Sequence, residues 1–190
     1  VDASGSQIGV GTSIDLDSQG RPHISYIHTG LSDLKYAHKT PSGWVTEVAD
    51  ATSSLLSSYS TSLALDRRDR PQIVYWDVSG GALRFTSKSS GAWNLETVEV
   101  GGYYGRYCSL ALDAQDNPRV AFTDETNHDV RYASAAIELT SPAPGDNWPV
   151  GASRTITWSG TGRVQDFDDI VRCFLPDLTK HDGSYPAGLR

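Results

Sequence analysis

The sequence predicts an all-β chain, a β-propeller arc of three four-stranded blades, and three observations lead there. First, "SIDLDSQGRPHISY", "SLALDRRDRPQIVY" and "SLALDAQDNPRVAF" are one string written three times, with Ser13, Ser62 and Ser109, and then Pro22, Pro71 and Pro118, recurring at intervals of 49 and 47 residues. A fixed period of roughly 40–50 residues made of short strands marks propeller blades or similar arrays. Second, apolar and polar residues alternate within each copy, the period-two signature of a half-buried strand. Third, 18 Gly, 9 Pro and 9 Tyr beside 38% hydrophobic residues favour turns and strands over a single thick core.

Each repeat reads as four strands. "TSIDLD" is an inner strand, and "SQGRP", with "RRDRP" and "AQDNP" in the later copies, is a tight turn of Gly, Asp, Asn and Pro. "HISYI", "QIVYW" and "RVAFT" form the second strand, in which Ile24 and Tyr26, Ile73 and Tyr75, and Val120 and Phe122 share a face. "DLKYAHK", "ALRFTSK" and "DVRYASA" form the third, and "GWVTEVAD" and "AWNLETVEV" the fourth, opened by Trp44 and Trp93. The repeated aromatics Tyr26, Tyr75, Phe122, Trp44 and Trp93 are expected in the core. Val1-Asp2 aligns with the ends of fourth strands at Ala49-Asp50 and Val98-Glu99, while the third repeat stops after Tyr132-Ala133 without a "GxWxxE" strand. The blades are thus expected at about 1–50, 51–99 and 100–135, short of one strand of the four that each blade requires. Rings of this kind close with about four to eight blades, so the chain is expected either to be a piece of a larger propeller or to close a six-bladed ring as a homodimer.

After Ala136 the composition changes to "IELTSPAPGDNWPVGASRTITWSGTG", where "RTITW" alternates as a strand. Ile137–Thr140 is either a further strand or the missing fourth strand of the third blade. A helix is expected from about Asp166 to Phe174, or else a poorly folded end. Residues 136–190 are read as an incomplete β-rich segment.

The charge of −7 and pI near 5.1 leave no basic surface to neutralise phosphates, which argues against nucleic acid. No stretch reaches the roughly 18 apolar residues of a spanning helix, and no charged-then-apolar leader opens the chain. Beginning at Val1 and lacking Met, it is expected to be a processed or excised piece. Cys108 stands where the other repeats have Thr12 and Thr61 and is expected to be a small buried residue; a Cys108–Cys173 bridge is left open.

The repeats resemble the "SLALDxxGxPxIxYxD…LxYA…WxxExVD" propeller repeats of large, often secreted, bacterial proteins. "SLALD" at 62–66 and 109–113, "YWD" at 75–77, "LKYA" at 34–37 and "WNLETVE" at 93–99 carry the resemblance. It implies the fold and an extracellular or cell-surface location, and says little of function. The "IELTSPAPGDNWPVGASRTITWSGTG" stretch resembles the start of the Ig-like module of Ser/Thr-rich cell-wall-anchored proteins, which implies a spacer. Neither the S-x-D-x-G-x-x-W box of sialidases nor a WD40 or kelch signature is present.

Propeller connectivity puts the loops after the second strands on the face where first strands begin, opposite the Pro-containing turns. That loop face is expected to gather His28, Asp33, Trp76, Asp77, Asp124, Glu125, His128 and Asp129 with Tyr59, Tyr103, Tyr104 and Tyr107. Rings that stack on sugars beside carboxylates that take hydroxyl hydrogen bonds would make a glycan site, assigned to Trp76, Tyr103, Tyr104, Tyr59, Asp77 and Asp124. The alternatives are a metal-assisted or esterase-like hydrolase using His28, Asp77, Asp124 and His128, for which a divalent metal would be the cofactor, and a structural spacer. No HxxxH, HxH or HExxH spacing supports the metal, and none is assigned. Asp77 and Asp124 recur in the repeat and suit turn caps better than they suit ligand binding. The expectation is a non-catalytic binding module whose partners are itself and a glycan or other small polar ligand.

Overall fold

A computed structural model describes residues 1–2, 8–52, 60–78, 80–100, 104–134, 137–141 and 157–160. The fold is all-β and propeller-like: antiparallel sheets follow one another along the chain, each a meander of consecutive strands. The first sheet has strands β1 (Ile8–Leu16), β2 (Pro22–His28), β3 (Asp33–Thr40) and β4 (Gly43–Asp50). β5 (Thr61–Leu65), β6 (Pro71–Asp77), β7 (Ala82–Ser89) and β8 (Ala92–Glu99) make the second. The third has three described strands, β9 (Tyr104–Leu112), β10 (Pro118–Asp124) and β11 (Asp129–Ser134). The chain divides after Ser134 into two compact units, Val1–Ser134 and Ala135–Arg190. In the second, β12 (Ile137–Ser141) pairs antiparallel with β13 (Thr157–Gly160), Leu139 opposite Trp158. Ile137–Thr140 therefore belongs to a two-stranded sheet of its own, whose partner strand includes Thr157 and Trp158 of "RTITW"; residues 154–156 lie outside the described residues. The helix expected at 166–174, and Cys173, lie outside the described residues.

The repeated residues act through local hydrogen bonds. In each first hairpin an Asp closes the turn: the Asp17 carboxylate accepts from the backbone N–H of Gln19 and Arg21 and from Arg21 Nε at 2.6 Å. Asp66 does the same for Arg68 and Arg70, and Asp113 for Gln115 and Asn117. Acid side chains that capture N–H groups two and four residues on hold a turn in the way a backbone carbonyl would. The fourth turn residue is left-handed in every copy, φ 74° at Gly20, 60° at Asp69 and 64° at Asp116, which explains why only Gly and Asp stand there.

Neighbouring sheets are tied by the repeated serines. Ser13 Oγ accepts the Leu63 N–H at 3.0 Å and Ser62 Oγ accepts the Leu110 N–H at 2.9 Å. The turns are tied as well: Ser18 donates twice to Asp69, and Arg67, at the equivalent place one repeat later, donates twice to Asp116. Between the sheets lie two apolar clusters. Ile27, Leu34, Tyr36 and Ala49 of the first sheet meet Leu63, Ile73 and Tyr75 of the second. Val74, Leu83 and Phe85 of the second meet Leu110, Val120 and Phe122 of the third. Tyr75, fully buried, donates to Asp50 at 2.5 Å, joining the end of one sheet to the middle of the next. Tyr26 donates likewise to Asp2 at 2.7 Å, so the chain's start stands in the role that Asp50 plays one repeat later.

Not every repeated aromatic is core. Trp93 is half-buried and packs edge-on against Tyr36, with ring centroids 5.3 Å apart. Trp44 at the same place in the first sheet is half-exposed beneath Lys39, because no described sheet precedes the first to cover it. Cys108 is a free thiol among apolar neighbours, 3.2 Å from Ser60 Oγ, and burial pushes it up to about 11 despite that hydrogen bond.

Candidate functional site

His28, Asp77 and Asp124 are one repeat position met three times, and each ends the second strand of its sheet. All three are buried, with Asp77 only 1% and Asp124 only 2% exposed. The polar atoms of His28 and Asp124 bond the following turn, while Asp77 accepts from an arginine of the next strand. His28 Nδ1 accepts the Leu31 N–H at 3.2 Å, and Arg84 Nε donates to Asp77 at 2.8 Å. Asp124 accepts from the N–H groups of Thr126 and Asn127 and from Asn127 Nδ2. Burial alone would raise the Asp124 carboxyl, but these bonds and nearby Arg131 hold it below its usual range. In each of these turns one residue is left-handed, Ser32 at 62°, Gly81 at 55° and His128 at 58°.

The four residues weighed for hydrolysis are therefore spread over three successive sheets, and His128 is an exposed turn residue. Among the described residues no group of three or more His, Cys, Asp or Glu converges to hold a metal ion.

Of the expected ligand residues, Trp76 is buried at 6% exposure beside its cross-strand neighbour Leu83, and its Nε1 has no described hydrogen-bond partner. Tyr59 and Tyr103 lie outside the described residues. Tyr104 is half-buried at the start of β9 and carries the Arg131 guanidinium over its ring at 5.2 Å. Tyr107 is 62% exposed, with the Arg106 guanidinium 5.8 Å from its ring centre. Arg106 in turn reaches Glu125 at 3.4 Å, and Arg131 reaches Glu99 at the same distance. The third sheet thus carries two separate groups, Tyr107 with Arg106 and Glu125, and Tyr104 with Arg131, which reaches Glu99 of the second sheet.

A second polar cluster, at the end of the first two sheets that bears the Pro-containing turns, went unnoticed in the sequence. The Tyr36 hydroxyl meets His23 Nδ1, while Asp17 lies 3.4 Å from His23 Nε2 and favours the tautomer with its proton there. His38 stacks on Tyr36 with centroids 5.5 Å apart, and burial, aided by nearby His23, lowers its pKa. Lys88 pairs with Glu47 at 2.5 Å beside Trp93. The Asp–His–Tyr line has the form of a proton relay, but Asp17 and His23 are buried and Tyr36 is only 2% exposed, so no substrate atom can reach its end. It acts as a polar seam between sheets. The signal was a break in the repeat: His23, Tyr36 and His38 stand where the second copy has Gln72, Phe85 and Ser87.

No known protein-family model matches the chain. No curated protein matches it either. Among solved structures, a fucose lectin from Kordia zhangzhouensis in complex with methyl-fucoside is similar at 15% identity, with a TM-score of 0.42 over 76% of this chain and 100% of that one.

Proposed function

We propose that the chain is a non-catalytic, extracellular binding module for glycans or other small polar ligands, working on the loop face as a homo-oligomer, with residues 136–190 as a β-rich spacer. The observation that carries this reading is the exposed Tyr107 ring beside an Arg106–Glu125 pair, on the strand that also holds Tyr104 under Arg131. A flat apolar ring takes the C–H face of a sugar, and fixed guanidinium and carboxylate groups take its hydroxyls. Tyr103 and Tyr59, which precede β9 and β5 in the sequence, belong to the same proposed ligand set. Trp76, Asp77 and Asp124, the buried members of the expected ligand set, have a supporting part at the ends of β6 and β10.

The test is saturation-transfer NMR of the whole chain with a panel of monosaccharide methyl glycosides. At least one should receive saturation, and Tyr107→Ala and Arg106→Ala should each weaken it tenfold or more while leaving the melting temperature within a few degrees. No transfer to any member, or transfer unchanged in both variants, refutes the reading.

A further inference from the structure

The two end faces of the three-sheet arc are left open in complementary ways. Ile14 and Leu16 are 63% and 57% exposed, although their counterparts Leu63 and Leu110, and Leu65 and Leu112, pack against the preceding sheet. At the other end Val130 and Tyr132 are 77% and 64% exposed, although Leu34 and Leu83, and Tyr36 and Phe85, at the same positions face the following sheet and are buried. Scattered exposed apolar residues are ordinary, but two faces that each repeat one half of an internal interface are not.

We infer that the open face of the third sheet receives the open face of the first sheet of a second copy, in the register of the two internal junctions. Each internal contact has a counterpart ready. Ser109, exposed and without a described partner, stands where Ser13 and Ser62 accept the N–H of the next sheet, and would accept that of the second copy's Ile14. Tyr132 would meet Trp44 as Tyr36 meets Trp93, which covers the ring that the single chain leaves half-exposed. Val130 and Tyr132 would bury Ile14 as Leu34 and Tyr36 bury Leu63. The Tyr26–Asp2 bond already repeats, on the open side of the first sheet, the Tyr75–Asp50 bond of an internal junction. One internal tie is missing: Ala114 replaces the donor residues Ser18 and Arg67, and Gly20 replaces the acceptors Asp69 and Asp116. The junction between copies is therefore weaker than those within one. Two such junctions, related by a two-fold axis, close two arcs into one ring.

This inference deepens the oligomeric part of the proposed function and rests on it, but not on the ligand: mass is read without glycan, so either can fail alone. The test is light scattering on the full chain with Ile14→Glu and Val130→Glu, both at exposed positions that leave the fold of one arc intact by circular dichroism. The wild type should have the mass of two chains. Each variant should have the mass of one, with at least a hundredfold rise in dissociation constant. An equimolar mixture, which keeps one junction unaltered, should regain two-chain species at high concentration. A monomeric wild type overturns the inference. So does dissociation by only one substitution, which marks a face-to-itself contact, or by neither, which places the contact elsewhere or the chain's own residues 135–190 over the faces. A mixture that stays monomeric overturns it also.

Discussion

Tyr75→Phe removes one oxygen from a site where the chain has few substitutes for it. The Tyr75 hydroxyl donates to Asp50 at 2.5 Å; the tyrosine is fully buried and the aspartate 2% exposed. Asp50 keeps its bonds from the Thr52 N–H and hydroxyl, so the carboxylate is not stripped bare, but one oxygen loses its inter-sheet donor in a place water does not fill. A hydrogen bond to a charged group contributes about 1.5–3 kcal/mol, and burial places this one in the upper half, about 2–3 kcal/mol. Tyr26→Phe removes the equivalent bond to Asp2, which is half-exposed, so water replaces much of it and the cost falls below about 1 kcal/mol. Urea unfolding followed by tryptophan fluorescence reads both: with a slope of about 2 kcal/mol/M, Tyr75→Phe lowers the midpoint by about 1 M and Tyr26→Phe by less than about 0.5 M. Asp50→Ala combined with Tyr75→Phe should cost less than the two separately, with a coupling of about 1–2 kcal/mol. Equal effects of the two tyrosine substitutions, or a Tyr75→Phe cost under about 0.5 kcal/mol, would refute the claim that burial sets the strength of these inter-sheet bonds.

Further outcomes follow from the same contacts. Gly105, at φ 91°, would carry a Cβ 2.4 Å from Leu83 Cδ1, so Gly105→Ala should destabilise by about 1–3 kcal/mol, measured in the same urea assay. Trp76→Ala should destabilise by about 3–5 kcal/mol as a core truncation, and a loss of ligand binding without loss of stability would contradict its burial. Cys108, pushed up to about 11 by burial, should react with a thiol reagent at neutral pH, in a Cys173→Ser background, more slowly in the folded than in the urea-unfolded chain. For pH, burial raises the Asp113 carboxyl, but bonds from Arg119 and Asn117 outweigh it and bring it down to about 2. Asp17 is held low against burial by Arg21 and Gln19. A folded pKa below the unfolded value of about 3.9 gives stability that is complete above that value and is lost as pH falls toward 2. Melting temperatures should therefore hold down to about pH 5 and drop below about pH 4, less steeply in Asp113→Asn; a flat profile would refute it.

The strands were legible because each repeat confirms the others: Gly43–Asp50 and Ala92–Glu99 are read from sequence almost to the residue. Strand ends without punctuation were not, and β1 and β9 run several residues further back than their apolar alternation indicates. The site was harder, because a repeated residue and a functional one look alike in one chain. His28, Asp77 and Asp124 are candidates on one face, and the same three residues also bond locally, His28 and Asp124 to the turn that follows and Asp77 to Arg84 of the next strand. Trp76 differs from its counterparts Ile27 and Thr123 and so stands out in the sequence, but the sequence does not show that the ring is buried. The His23–Tyr36–His38 seam differs from its counterparts just as sharply and escaped, since its members are far apart in sequence and meet only when β2 and β3 pair, His23 opposite His38.

The turn-to-turn bonds at Asp69 and Asp116 give the repeats a grammar. The middle unit carries both a donor for its successor, Arg67, and an acceptor for its predecessor, Asp69, so that unit copied whole arrives with both words of the sentence and joins a like unit without new chemistry. A single substitution, by contrast, is answerable to the neighbouring unit rather than to its own. In the first of the three units the acceptor has lapsed into Gly20, and in the third the donor has lapsed into Ala114.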